Sequence, residues 1–101
     1  MAKGYWIAHV DVKDPEAYKA YIAANAVAFA KFGARFLVRA GAAEVRAGAL
    51  HPRHVVLEFE DYATALACYD SEEYRRAVVL RDAASVCDVV VVEGYDGPQP
   101  G

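Results

Sequence analysis

The chain has little cysteine: two residues in 101, Cys68 and Cys87, well separated and outside any Cys-x-x-Cys spacing. That argues against a disulfide framework and a thiolate zinc site, and it treats both thiols as small buried hydrophobes. No apolar run approaches the roughly 20 residues of a membrane-spanning helix. The opening MAKGYWIAHV moves directly into a strand pattern, without the apolar stretch of an export signal. A cytoplasmic protein with no membrane partner is the expectation. Basic residues number 11 against 14 acidic ones, for a net charge of −3, and they are scattered rather than gathered in a stripe. Nucleic acid is therefore not an expected partner. GARFLVRAG (33–41) has neither the spacing nor the following helix of a phosphate-binding loop. His51 and His54 flank a turn without a third ligand. Neither a cofactor nor a metal is implied.

What the chain does have is apolar and aromatic surface. Hydrophobic residues make up 56 %, with seven Tyr, four Phe and one Trp. A chain of this length folds as one domain with a modest core. Residues 1–96 are expected to form it, with 97–101 as a polar tail. Apolar surplus in so small a domain is commonly buried against a second copy, so a homodimer is expected.

Local signals divide the chain cleanly. GYWIAHVDV (4–12) alternates and reads as a first strand. Asp14, Pro15 and Glu16 form a helix start, and Tyr18, Ile22, Asn25, Phe29 and Phe32 continue one buried face to a stop at Gly33. A second strand is expected at 34–40, resuming weakly at 44–46. AGALHPR (47–53) is a hairpin loop, and HVVLEFE (54–60) a third strand. Asp61 caps a helix over 62–69, and Ser71 starts another after a break near Asp70. CDVVVVEGY (87–95) is the fourth strand. Strand, helix, strand, strand, helix, strand is the ferredoxin-like α+β pattern, an antiparallel sheet ordered 4-1-3-2 with helices on one face.

Alternation sorts each strand between two faces. The wholly apolar sets, Phe36 with Val38 and Val55 with Leu57 and Phe59, are assigned to the helices, as is the Trp6 set. The other face then carries Ile7, Leu37, Val56, Val89 and Val91 among His9, Arg39, Glu58 and Glu93. Arg39 enclosed in that face needs a partner. Glu58 on the neighbouring strand is the expected one, with His9 in reach of Glu58. Arg35 is expected to reach solvent.

DPEAYKAY (14–21), KFGARFLVRAG (31–41), VVLEFED (55–61), SEEYRRA (71–77) and VVVEGY (90–95), taken in order, resemble a bacterial family known only as domain of unknown function 1330. The resemblance spans about residues 3–96. It implies a ferredoxin-like protomer that pairs with a second copy as a dimeric α/β barrel. Tyr18, Tyr21, Arg39, Glu44, Glu58, Tyr74 and Arg81 match polar positions of the family pattern. The chain departs from it at Ala34, Ala40, Ala47 and Glu72, where the family usually has Gly, Gly, Glu and Pro. Ala47 weakens any role that needs an acid in the hairpin loop. Relatives in the wider superfamily include cofactor-free monooxygenases, haem-binding enzymes and lactone isomerases, an analogy of fold alone.

The resulting expectation is cofactor-free acid–base chemistry on a small anionic or carbonyl metabolite, of isomerase or monooxygenase type. His9 is the candidate base, Glu58 its orienting carboxylate and Arg39 the anion clamp. Tyr21 and Tyr74 are candidate substrate contacts, although aromatics at helical spacing are more often core. A non-catalytic module that holds a small ligand or serves a stress response is the alternative. A third possibility makes Arg39 and Glu58 a purely structural ion pair.

Overall fold

A computed structural model describes residues 2–101. It contains β1 (Gly4–Val12), α1 (Pro15–Phe32), β2 (Arg35–Arg39), β3 (Arg53–Phe59), α2 (Tyr62–Asp70), α3 (Glu72–Ala84) and β4 (Ser85–Glu93). The sheet is ordered β2-β3-β1-β4 with every neighbouring pair antiparallel. This is the ferredoxin-like α+β arrangement. No helix among the described residues is long and apolar enough to cross a membrane.

The expected punctuation is present. The Asp14 carboxylate accepts from the Ala17 N–H, and Gly33 closes α1 at φ 68°, a left-handed conformation that glycine adopts without a Cβ penalty. Asp61 accepts from Thr64 N–H to start α2, and Ser71 accepts from Tyr74 N–H to start α3. The Thr64 side chain, and then its N–H, hold the Asp61 carboxyl below its usual range. Ser71 also ends α2, its hydroxyl donating to the Cys68 carbonyl at 2.7 Å.

Strand limits differ from expectation. β4 begins two residues early because α3 runs into it without a loop: Ser85 donates from Oγ to the Arg81 carbonyl and is already paired with Val12. β3 begins one residue early, at Arg53. Residues 44–46 form no strand; 40–52 is an irregular connection.

The helices cover one face of the sheet, and Trp6 sits at the centre of that layer. Its ring meets Phe29 at 5.4 Å, Phe59 at 5.3 Å, Tyr69 at 5.3 Å and Tyr74 at 4.8 Å, and its Nε1 donates to the Ala65 carbonyl. Each such ring pair contributes about 0.5–1.5 kcal/mol beyond burial. Leu57, Phe59 and Val10 complete the sheet side.

Two facial assignments need correction. On β4, Val91 pairs with Trp6 and Val89 with Ala8, so Val89, Val91 and Glu93 share the helix side while Val90 and Val92 face away. Choosing the helix-facing set by the absence of charge fails there, since Glu93 lies at the strand's end where solvent is close. On β2 the ladder runs Arg35 with Glu58 and Phe36 with Leu57. It then slips, so that Val38 pairs with Val56 and Arg39 with Val55. A bulge at Leu37 adds one residue and inverts the faces after it. Arg39 therefore lies on the helix side.

Candidate functional site

That inversion separates the residues expected to act together. On the uncovered face, His9 Nδ1 lies 2.8 Å from His54 Nδ1, one ring donating and the other accepting. Glu58 accepts from the Tyr5 hydroxyl at 3.3 Å and lies 3.6 Å from the Arg35 guanidinium. Desolvation and the Glu58 carboxylate raise the Tyr5 phenol above its usual range. Arg39 makes no contact with Glu58. Its guanidinium rests on the Phe36 ring at 4.2 Å, on the opposite side of the sheet.

Arg39 instead joins Tyr21 and Tyr74 on the wall of a cavity between the sheet and α1 and α3. The space amounts to about 510 Å³ with its mouth included, of which about 40 Å³ can seat the centre of a water molecule. Trp6, Phe29, Phe36, Val55 and Leu57 form apolar walls. The polar groups on it are Arg39, Arg53, Arg81, Tyr18, Tyr21, Asn25 and Tyr74, together with the thiol of Cys87; no Asp or Glu lines it.

The polar groups are ordered. Tyr21 and Tyr74 hydroxyls lie 2.7 Å apart. Arg81, 9 % exposed, donates from Nη1 to the hydroxyls of Tyr74 and Tyr69, each at 3.2 Å, and from Nε to Asp82 at 3.0 Å. Burial opposes the Arg81 charge, but the tyrosine oxygens around it hold its pKa above the usual value. Burial dominates at the phenols. It raises Tyr21, which is helped upward by Tyr74, and it raises Tyr74 and Tyr18 despite the arginines beside them. All three are hydrogen-bond donors, not bases, near neutral pH. Burial raises the Cys87 thiol as well, against the opposing Arg81 charge.

Arg81 donates to Tyr74, and the hydroxyls of Tyr74 and Tyr21 share one hydrogen bond that either can donate. When Tyr74 donates, the Tyr21 proton is free for a ligand. Such a donor, fixed in advance and shielded from water, suits an oxygen that gains negative charge. Among the described residues no group of three or more His, Cys, Asp or Glu is placed to hold a metal.

Sequence reasoning missed Arg53 as part of this wall and took Arg81 only from a family pattern. Both carried a signal. Arg53 precedes Val55, Leu57 and Phe59 at the alternate spacing of the helix-facing set, and Arg81 follows Tyr74 and Ala77 at helical spacing.

The fold has solved counterparts at low sequence identity. RPA0582 from Rhodopseudomonas palustris, described as of unknown function, aligns with TM-score 0.74 and 16 % identity over 95 % of this chain and 85 % of that one. SnoaB from Streptomyces nogalater, described as a cofactor-independent oxygenase, aligns with TM-score 0.60 and 14 % identity over 99 % and 97 %. A protein from Thermobifida fusca, described as dimeric, ferredoxin-like and of unknown function, aligns with TM-score 0.58 and 20 % identity over 91 % and 89 %. No curated protein matches by sequence. The family model described as Domain of unknown function (DUF1330) matches residues 3–95, and the chain belongs to that family.

Proposed function

We propose that this DUF1330 protein binds a small anionic or enolisable metabolite in the helix-side cavity and performs cofactor-free acid–base chemistry on it. The observation that carries this reading is the hydrogen-bonded Arg81–Tyr74–Tyr21 chain, set in a wall with three arginines and no carboxylate. Such a wall favours the deprotonated form of a bound enol or phenol. With no group on it that is basic near neutrality, the proton leaves to water while Tyr21 stabilises the oxyanion. An isomerisation, or attack of the resulting carbanion on dioxygen, follows from such an anion. SnoaB is described as a cofactor-independent oxygenase, so this architecture accommodates that chemistry there. The reading gives His9 and Glu58 no step.

The test is the ionisation of a bound phenol. With 4-nitrophenol as probe, absorbance against pH should show a bound pKa below that of the free phenol. Tyr21→Phe should return it by about one unit, equivalent to one charge-assisted hydrogen bond. Binding with an unshifted pKa would leave a non-catalytic binding module, which the missing base favours.

The same reading takes the protein as a homodimer. Val38, Val86, Val90 and Val92 are all exposed in the single chain, and the last three run along one strand of the uncovered face. The Thermobifida fusca neighbour is described as dimeric.

A further inference from the structure

We infer that the ligand class of this cavity is a planar, conjugated carboxylic acid with a second oxygen, its carboxylate held by Arg39 and Arg53. The inference rests on the cavity being the ligand site. It starts from the two arginines that the donor chain does not use.

Arg53 stands two residues before Val55 on β3, and Arg39 stands opposite Val55 on β2. They are diagonal neighbours on the helix side, a separation of about 7–8 Å that long side chains bridge. Neither guanidinium has an ion-pair partner among the described residues, although Arg53 lies close enough to the Tyr18 hydroxyl to oppose the rise in its pKa. Arg39 lies on Phe36, and Arg53 lies 5.5 Å from the Tyr18 ring centre. The Arg53 Nε is buried and has no acceptor. A buried donor without a partner is costly, and Arg39, an exposed residue on the same wall, adds a second positive charge beside it. An anion satisfies the donor and lies between the two charges.

The shape of the anion follows from the walls. A carboxylate presents two oxygens in one plane, matching the guanidinium fork. The rings of Trp6, Phe29 and Phe36 favour a flat conjugated body that extends from the inner space into the mouth. The second oxygen is placed by the donor chain. Tyr74 rests on Trp6, while Arg53 pairs with Val10, four residues further along β1. The two polar subsites therefore lie toward different ends of the cavity.

Trp6 lines the cavity and is the single tryptophan of the chain, so its fluorescence reports binding directly. The probes are 4-hydroxybenzoate and its uncharged isostere 4-hydroxybenzamide. The acid should bind at least about tenfold more tightly than the amide. Arg53→Met should bring the acid down toward the affinity of the amide and cost the amide much less, so that the ratio between the two probes collapses. Equal affinities for the two probes in the unaltered protein would overturn the carboxylate subsite and leave the cavity reading standing. Because that comparison uses only the unaltered chain, it holds even if Arg53→Met folds poorly. No response of Trp6 to either probe at millimolar concentration would overturn the cavity reading, and this inference with it.

Discussion

Tyr21 and Tyr74 link the stability of the protein to its candidate site. Both phenols are buried, and with Tyr18 they hold their protons above the usual phenol range, chiefly through desolvation. In the unfolded chain each titrates near 10. Above that pH the unfolded state binds fewer protons than the native state, so stability falls as pH rises. Below it the contribution is fully present. Urea unfolding midpoints measured from pH 8 to 11 should therefore drop above about pH 10. Tyr21→Phe removes the group shifted furthest and should shallow that drop. An unchanged slope in the variant would show that the alkaline loss arises elsewhere. Cys68 is a useful contrast, its thiol pushed up to about 12 by burial and then by Glu73, in a place where no ligand reaches.

At the scale of the element, β2 decides where the site lies. Its bulge sends Arg39 to the helix side, and the residue after it, Ala40, takes φ 55°. A left-handed backbone costs a non-glycine residue about 1–2 kcal/mol. Glycine avoids that penalty but loses about 0.5–1 kcal/mol of unfolded-state entropy. Ala40→Gly should therefore stabilise the protein by about 0.5 kcal/mol, read as a higher urea midpoint at constant slope. A lower midpoint would mean that Ala40 is not strained. The family pattern, with Gly at this position, agrees with that backbone. Most of the fold was legible because its punctuation is local: Asp14, Gly33, Asp61 and Ser71 each act within a few residues of themselves. The bulge was not, because strict alternation cannot register one inserted residue, and a single insertion moved Arg39 away from His9 and Glu58. Tyr21 and Tyr74 were recognisable as candidates, whereas Arg53 was hidden because AGALHPR reads as a hairpin loop that ends on it, one residue before the expected strand.

The whole molecule measures 46 × 34 × 16 Å, the thinness of one sheet under one layer of helices. Two layers leave the far face of the sheet uncovered. There Ile7 and Val56 are half-buried beside Val90, which is 52 % exposed, in a band flanked by His9, His54 and Glu58. A second copy laid on this band would bury the valines and enclose the polar groups, which are already bonded to one another or to Tyr5 and Arg35. That arrangement keeps the desolvation cost low, because Glu58 is paired with Arg35 and Asp88, between Val86 and Val90, lies 3.5 Å from His51. Native mass spectrometry should therefore give a dimer. Val90→Asp places a carboxylate in the band and, across a two-fold axis, repeats it from the partner. It should weaken dimerisation at least about tenfold, the effect of an uncompensated buried charge. Val79→Asp is the control, since Val79 is more exposed, at 71 %, yet lies on α3, the helix layer, away from the uncovered face. If both variants dissociate, charge alone drives the effect; if neither does, the copies meet through another surface. Dissociation by Val90→Asp alone would assign the interface to the open face, and would leave the helix-side cavity of each copy complete within its own chain.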